Sequence, residues 1–520
     1  MRAAAAVAAV LVAAAGCGKS STLSPAQSPD GGADDGGTAG LLTLAPGEVA
    51  ELSVVGGVAA ERLATPTGTE QFVVIVASTA LGTSRAPLPY SVSLDPAQPP
   101  AASKVLGSCS IDASAWATRT LPAETPPSGT TVAVDATRTV NVSSALGFEA
   151  IQVKAIAVGK TAVVWADVTP AHPAVLDAAF VQEFLNDFES TIMPRERAVF
   201  GIESDLDKDG HIHLVFTPVT GDTAIAFFTG CDLGGALGCR TSNNGEYLYL
   251  TPPNAIAPPY NTPTAIKEIL THELSHLIHY NRKVLRNGLG SWDDSGYMIE
   301  GMGGFAQDVI GFQAGNFYVA MAGLDGIDKF SLADVLVDGT PYDTTRDGVL
   351  RGGSYLFARW LYDRGGGDVA NADGTITNKG GPSFLRALLD APKTMSADLP
   401  IATSSSLADM NADFYTTLAM SNRDEPSIGG VAPKNPCFAF RPAPADPVTG
   451  KQRGANMFTQ FHGQQMQGPK TQKAAAADGK LVPGGVEVLT LDAVAGQPEA
   501  DVTVTVDAKA SARVRIGRVR

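Results

Sequence analysis

The chain has 520 residues, of which 44% are hydrophobic and 18% charged, so it is long enough and apolar enough to form several folded domains. Its formal net charge of −15 argues against a nucleic-acid partner and against adsorption on anionic lipid, because both require clustered lysine and arginine. The composition indicates an acidic globular protein.

The first residues are typical of an export signal. Arg2 precedes an apolar run through Ala15 that is too short to cross a bilayer as a permanent helix. The run ends in Ala14-Ala15-Gly16-Cys17, which resembles the lipobox of bacterial lipoproteins, with Ala14 in place of the usual leucine. We predict a signal peptide over 1–16, lipidation of Cys17 and a place at the outer membrane or cell surface. The alternative is a signal cut elsewhere and a freely secreted protein.

Four further cysteines are an even number in an exported chain, which makes disulfides the first expectation. Cys231 and Cys239 close a short glycine-rich loop and are the predicted pair. A pairing of Cys109 with Cys437 follows only by elimination. Zinc binding by these cysteines is a weaker alternative, because the sequence contains no C-x-x-C pair.

Composition and the spacing of apolar residues change twice along the N-terminal part of the chain, after the predicted signal peptide. Residues 17–40 are rich in Ser, Pro, Gly and Asp and predict a flexible tether. From 41 to 170, short apolar runs alternate with Gly, Pro, Ser and Thr turns, which predicts an all-β domain, a sandwich. From Ala174 onwards apolar residues recur at helical spacing, so we place the start of a mixed α/β domain there.

The mixed domain extends to 423, and helical segments between 354 and 420 are expected to build its second lobe. Proline and glycine are dense after it, so residues 424–480 are predicted to form an irregular linker. Strand-like runs then predict a small C-terminal β module over 481–520.

An acidic turn lies early in the mixed domain. Its sequence Asp205-Leu206-Asp207-Lys208-Asp209-Gly210 has the D-x-D-x-D-G start of an EF-hand loop, whose alternate oxygens bind Ca²⁺. The twelfth position is Phe216 instead of glutamate, which excludes a full EF-hand. Two interpretations remain: a partial calcium loop with Asp205, Asp207 and Asp209 as ligands, and a simple acidic turn.

Two histidines follow this turn on a predicted strand. His211 and His213 alternate, so both can face one side of a sheet. We interpret them as solvent-facing or hydrogen-bonded residues instead of metal ligands, since no third ligand lies nearby in the sequence.

The stretch His272-Glu273-Leu274-Ser275-His276 has the pattern H-E-x-x-H. In a helix the two histidines lie on one face, so both imidazoles can bind one Zn²⁺ with Glu273 beside them as a base. Thr262 is suited to cap a helix that begins at Pro263, and apolar residues after it recur at helical spacing. The alternative is a surface helix that carries these residues by chance.

A catalytic zinc needs a third protein ligand and an open position. The metzincin continuation is excluded, because Arg282 stands where that class has its last histidine. His279 lies about 10 Å along the helix axis from His272, too far for both to bind one metal, and is interpreted as a polar flank.

Three carboxylates remain as candidate third ligands. Asp293 and Asp294 can reach the metal from a loop. Glu300, 24 residues past His276, is better placed, because a helix packed against the first presents its carboxylate at a fixed distance.

The combined motifs T-H-E-x-x-H-x-I-x-Y/F-N and E-G-x-x-x-x-A-x-D resemble those of gluzincin metallopeptidases, most closely the hyicolysin-type neutral zinc peptidases. The resemblance covers about 174–423 and includes the acidic turn, the S-N-x-x-E-x-x-Y-L stretch at 242–250 and a helix at 355–361. It implies a zincin-like fold with His272, His276 and Glu300 as zinc ligands and Glu273 as catalytic base.

Two departures from the gluzincin pattern lie near Glu300. The usual W-L-N-E-G is Tyr297-Met298-Ile299-Glu300-Gly301 here, and the acidic residue that some members place four positions after the ligand glutamate is Gly304. The group that orients a zinc histidine is therefore unassigned, and Asp308 is the candidate. Tyr297 and Tyr355 are candidate donors to the reaction's oxyanion.

The sequence thus predicts an exported endopeptidase that cleaves peptide or protein substrates with a zinc-activated water and Glu273 as general base. The alternative is a surface-displayed binding or structural lipoprotein whose peptidase fold has lost activity. A third interpretation, an aminopeptidase, is weaker because the chain has no G-x-M-E-N-like stretch to capture a substrate amine.

Overall fold

The computed structural model describes residues 41–520 apart from 83, 96–101, 130–131, 146, 223, 235–238, 288–293, 313–315, 337–342, 344, 443, 459 and 462–463. The predicted signal peptide, Cys17 and the tether lie outside the described residues. Several sheets and many helices are present, so the chain is a multidomain, mixed α/β protein, as predicted at that level.

The strands, numbered in chain order, are β1 (Val49–Leu52), β2 (Val58–Ala64), β3 (Gln71–Ser78), β4 (Leu88–Ser93), β5 (Ser103–Val105), β6 (Thr137–Ser144), β7 (Gly147–Val158), β8 (Ala162–Asp167), β9 (Ile212–Phe216), β10 (Ala226–Phe228), β11 (Tyr247–Leu250), β12 (Asp368–Ala370), β13 (Ile376–Asn378), β14 (Gln460–Phe461), β15 (Gln464–Gln465), β16 (Gln472–Lys473), β17 (Asp478–Leu481), β18 (Val486–Asp492), β19 (Glu499–Val506) and β20 (Ala512–Arg518).

The α-helices are α1 (Ser114–Ala117), α2 (Ala178–Asp187), α3 (Met193–Val199), α4 (Gly230–Leu233), α5 (Pro263–Tyr280), α6 (Gly296–Ile310), α7 (Asn316–Asp325), α8 (Leu332–Leu336), α9 (Asp347–Gly365), α10 (Gly381–Leu389), α11 (Met395–Thr403) and α12 (Leu407–Met420). A π-helical turn over Asn281–Leu285 continues α5. None of the helices in the described part of the chain is long and apolar enough to cross a membrane.

A β-sandwich is built from both ends of the described chain. One sheet has the strand order β16-β18-β3-β20-β1-β5, and the other has the order β17-β4-β19-β2. Strand β3 is buried on both faces. Phe72, Val74 and Val76 belong to the sandwich core, whereas Val73 and Ile75 belong to the core of the helical region, where α12 lies against β3.

This topology corrects the predicted domain organisation. The β runs near the N-terminus and those over 481–520 do not form two separate modules, because β3 pairs with both β18 and β20. The boundary near 170 also falls inside a sheet: β8 pairs in parallel with β9. An alternating apolar pattern reports which strand faces are buried, but it does not specify the partner strand.

The central sheet has the order β10-β11-β9-β8-β7-β6. Strands β8, β9 and β11 are parallel neighbours, and β10 runs antiparallel to β11 at one edge. Helices α2 and α5 pack on one face, where Phe184 contacts Phe216 with ring centroids 5.4 Å apart. Trp165, Val215 and Tyr249 form a separate buried cluster on the opposite face.

Helices α9 to α12 contain the segments between 354 and 420 that were predicted to be helical. Helix α9 packs against α6, α7 and α10, and Phe357, Trp360 and Phe414 join α9 to α12 with ring centroids 5.3–5.6 Å apart. The segment predicted as a linker is mostly irregular but is not loose. Its Phe438 and Phe440 are buried, and its Asp446 forms a fully buried ion pair with Arg195 of α3 at 2.6 Å.

Both cysteine pairs are at disulfide distance. Cys231 and Cys239 have their Cα atoms 5.6 Å apart, as predicted, and the pairing of Cys109 with Cys437 that followed by elimination is confirmed at 5.7 Å. The second disulfide spans 328 residues and joins the segment after β5 to the segment after α12. Disulfides persist in oxidising compartments, so they indicate an exported protein.

Candidate metal centre

Helix α5 forms as the sequence predicts and carries the H-E-x-x-H motif. The Thr262 side chain accepts a hydrogen bond from the Ala265 N–H at 3.3 Å, and Pro263 occupies the first turn, where no amide donor is needed. Most of the helix is buried between the central sheet and the second lobe. The motif therefore sits on a helix that neighbouring elements hold in place.

Three predicted ligands meet between α5 and α6. His272, His276 and Glu300 each offer one ligand atom, and these atoms lie within 4.8 Å of one another. His272 Nε2 is 3.2 Å from Glu300 Oε2, and the two imidazole rings are nearly perpendicular, with centroids 4.6 Å apart. The structure thus brings two imidazoles and one carboxylate together, a group that can hold a metal ion.

The glycines of α6 allow this close approach. A Cβ atom at Gly303 would lie 2.5 Å from the His272 ring, and one at Gly301 would lie 2.5 Å from the Ser354 side chain of α9. Glycine weakens a helix by about 1 kcal/mol. Here it lets α6 fit between α5 and α9, while Ser295 caps the start of α6 by accepting from the Met298 N–H at 3.2 Å.

Glu273 lies beside the three ligands and is buried. Its Oε2 accepts a hydrogen bond from the Phe228 N–H of β10 at 2.9 Å, while Oε1 has no hydrogen-bond partner among the residues that the structure describes. Burial raises the pKa of Glu273 to about 7; the positive charge of His272 opposes this rise and the negative charge of Glu300 adds to it. A carboxylate with a pKa near neutrality is suited to general-base chemistry.

The ligands themselves have strongly shifted pKa values. Burial and the neighbouring His272 lower the pKa of His276 to about 3, so His276 is neutral, the form in which an imidazole binds a metal. Burial alone would raise the pKa of Glu300, but the hydrogen bond from His272 and the charge of Arg351 outweigh it and hold that pKa at about 2. The centre therefore offers one neutral imidazole and one ionised carboxylate over a wide pH range.

Arg351 belongs to this centre, and sequence reasoning missed it. Its Nη1 contacts Glu300 Oε2, and its Nε donates to Asp347 Oδ1 at 2.9 Å. Nothing in the sequence marks an arginine in the second turn of α9, because its contact with Glu300 arises only when α9 packs on α6.

Asp308 does not orient a zinc histidine, which corrects the prediction. Its Oδ2 accepts from the Tyr355 hydroxyl at 3.1 Å and from Arg359 Nη1 at 3.2 Å, and its Oδ1 accepts from the Gly454 N–H at 2.6 Å. Asp308 lies two turns past Glu300 on α6 and joins α9 to the irregular segment instead. The same contact turns the Tyr355 hydroxyl towards Asp308, and the Tyr297 hydroxyl accepts from the Asp343 N–H at 2.8 Å.

Of the other two carboxylates considered as third ligands, the structure describes Asp294, which pairs with His279. Asp294 is buried, with Oδ2 3.4 Å from His279 Nε2 and Oδ1 accepting from the Met395 N–H at 2.6 Å. Asp293 lies outside the described residues. His279, interpreted as a polar flank, is thus the partner of Asp294.

The acidic turn lies close to Glu246, a residue outside the twelve positions of the EF-hand pattern. Carboxylate oxygens of Asp205, Asp207 and Glu246 lie within 4.8 Å of one another. Burial raises the pKa of Glu246 to about 7, and the charges of Asp207 and Asp205 add to the rise. Glu246 precedes β11, which lies beside β9, so the sheet supplies a glutamate that the loop lacks at its twelfth position. The S-N-x-x-E stretch was the signal that could have identified it.

His213 is hydrogen-bonded, as one interpretation held, but it is fully buried. Trp165 Nε1 donates to its Nδ1 at 3.1 Å, which leaves the ring proton on Nε2, 3.0 Å from Asp207 Oδ2. Ligand atoms of Asp207, Asp209 and His213 lie within 4.8 Å of one another, so these residues form a second group that could hold a metal ion. The bond from Trp165 speaks against His213 as a ligand, because a metal-binding histidine almost always donates from its second nitrogen. His211 is also buried, with Nδ1 3.5 Å from Asp209 Oδ1.

Comparisons with protein-family models and with curated proteins found no relative of this chain. No protein-family model matches the chain, and no curated protein matches it at a significant level. The resemblance to gluzincins stays a prediction that rests on the quoted motifs.

The chemistry of the three candidate ligands limits which metal ions would fit. Two imidazoles and one carboxylate are ligands that divalent transition metals such as zinc accept, and three protein ligands leave a coordination position open. Glu273, next to His272 in the sequence, has a buried Oε1 without a hydrogen-bond partner among the described residues. The residues present can therefore hold a divalent metal ion, and zinc is one of the ions that this donor set fits.

Proposed function

We propose that the chain is an exported, zinc-dependent endopeptidase. The observation that carries the proposal is the convergence of His272, His276 and Glu300 from two helices, with the buried carboxylate of Glu273 beside them. Two disulfides support export.

His272, His276 and Glu300 would hold the zinc, which when bound lowers the pKa of a coordinated water and polarises the substrate carbonyl. Glu273 would accept a proton from water and deliver it to the leaving amine. Its Oε2 is fixed by the Phe228 N–H, which leaves Oε1 for this exchange.

The edge strand β10 suits an extended peptide. Thr251 N–H donates to the Ile225 carbonyl, so the backbone groups of Ala226 point away from β11 in the alternation of an antiparallel pair. A substrate strand that pairs with this edge would lie next to Glu273, which is bonded to the same strand. This placement supports cleavage within a chain.

Metal removal tests the proposal. We expect the purified chain to contain about one zinc and to cleave casein, and we expect a chelator to abolish cleavage until zinc is restored. Metal analysis and a casein assay measure both. A chain that holds no zinc, or cleaves equally with chelator present, contradicts the proposal.

An inactive surface lipoprotein remains the second candidate, and one observation favours it. Arg351 contacts the carboxylate that would bind the metal. In a chain that no longer binds zinc, the guanidinium would take the place of the metal as the positive charge beside Glu300. The same metal analysis separates the two candidates, because an inactive chain of this kind would retain its fold and bind no zinc.

We also propose that lipid on Cys17 anchors the protein to a membrane. Fractionation of cells that express Cys17→Ser should find the protein in the soluble fraction, whereas the unchanged chain stays with membranes. Equal distribution of both chains would favour free secretion.

At the acidic turn we propose a calcium ion held by Asp205, Asp207 and Glu246. Calcium at about a hundred times its dissociation constant should raise the free energy of unfolding by about 2.7 kcal/mol. Thermal melting with calcium and with a calcium chelator measures this, and Glu246→Gln should remove the effect. Asp373→Asn, in an exposed turn where Asp373 accepts from the Thr375 N–H, is the matched control. A melting temperature that is insensitive to calcium leaves a simple acidic turn.

A further inference from the structure

We propose that Arg351 is the counter-charge of Glu300 in the metal-free chain and that it yields this carboxylate to the metal, so that Arg351 sets how tightly the centre holds zinc. The inference rests on the proposed zinc centre and concerns its regulation.

Two nitrogen donors share one carboxylate oxygen. Arg351 Nη1 and His272 Nε2 both contact Oε2 of Glu300, the histidine at 3.2 Å. The side chains of Arg351 and Glu300 are only 14% and 7% exposed, so water screens the pair weakly. A metal held by His272 and Glu300 must therefore compete with the guanidinium for Glu300.

Arg351 has a second partner that allows it to move. Its Nε donates to Asp347 Oδ1 at 2.9 Å, one turn earlier on α9. Nε and Nη1 are different donors of one guanidinium. Arg351 can therefore release Glu300 while it keeps the charge of Asp347, and no positive charge is left without a partner.

The metal-free centre needs such a counter-charge. Glu300 and Glu273 are buried neighbours on α6 and α5, and an uncompensated buried carboxylate is strongly destabilising. Arg351 neutralises Glu300 before a metal binds. The consequence for zinc is weaker binding, because the ion must displace one cation and then remain close to it.

The test measures zinc affinity and thermal melting of the full chain, with Zn²⁺ alone as ligand and a chromophoric chelator as competitor. We expect Arg351→Gln to bind zinc about ten- to a hundredfold more tightly than the unchanged chain and to melt lower without metal. Arg351→Lys keeps the charge and should stay close to the unchanged chain. Asp347→Asn removes the charge that holds Nε, so the guanidinium should pair more strongly with Glu300 and the zinc affinity should fall.

Arg346→Gln is the matched control. Arg346 immediately precedes the same helix and pairs with Asp334 and Asp343 instead of Glu300, so its loss should lower stability without changing zinc affinity.

Equal or weaker zinc binding by Arg351→Gln overturns the inference, since Arg351 would then orient Glu300 instead of competing for it. If Arg351→Gln does not fold, Asp347→Asn decides: an unchanged or tighter affinity overturns the inference. Zinc bound equally by all variants leaves the zinc centre in place and removes only the role of Arg351. An unchanged chain that binds no zinc contradicts the proposed function itself.

Discussion

Glu273→Gln is expected to lower the rate of peptide hydrolysis by about 10³-fold while one zinc per chain is retained. The amide keeps the size of the side chain, but it cannot accept the proton of the attacking water. His272, His276 and Glu300 are unchanged, so metal binding should persist. A casein assay and metal analysis on the same preparation measure the two outcomes.

The matched control is Glu183→Gln. Glu183 is an exposed carboxylate on α2 that pairs with Lys267 of α5, so its loss removes a negative charge beside the same helix without touching the centre. Its activity should stay close to that of the unchanged chain. Undiminished cleavage by Glu273→Gln would falsify the general-base role.

Glu300→Ala is expected to weaken zinc binding by more than about a hundredfold, since the loss of an outer partner alone costs ten- to a hundredfold. Two imidazoles remain as ligands, and Arg351 loses one of its carboxylate partners but keeps Asp347. Hydrolysis should fall in parallel and recover partly at high zinc concentration. A competition assay with a chelator measures the affinity.

Glu183→Ala serves as control here and should bind zinc as the unchanged chain does. If Glu300→Ala bound zinc with full affinity, Glu300 would not be the third ligand, and another residue would have to supply it. Asp294 is a poor substitute, because His279 and the Met395 N–H already hold its two oxygens.

The parts of the centre that depend on local signals could be predicted. Thr262, Pro263 and the apolar period define α5, and the spacing of His272 and His276 places both on one face of that helix. Glu300 followed from the expectation of a second helix and from the resemblance to a family. These features are set by residues a few positions apart or by a recognisable motif.

The remaining contacts depend on how distant segments pack. Arg351 reaches Glu300 only through the packing of α9 on α6, and Glu246 joins the acidic turn only because β11 lies beside β9. Asp308 shows the opposite case. A carboxylate near the ligands in sequence was assigned to them, whereas its hydrogen bonds lie with α9 and Gly454.

The sandwich has a consequence for how this chain reaches its native state. The Ser78 hydroxyl donates to the Ala510 carbonyl across 432 residues, so β3 can pair with β18 and β20 only after the helical region between them has been synthesised. Contacts of such high sequence separation form late and slowly. Since α12 lies against β3, the second lobe gains its supporting surface only when the sandwich closes. Substitutions that destabilise β18 or β20 should therefore impair formation of the metal centre, although neither strand contains a predicted ligand.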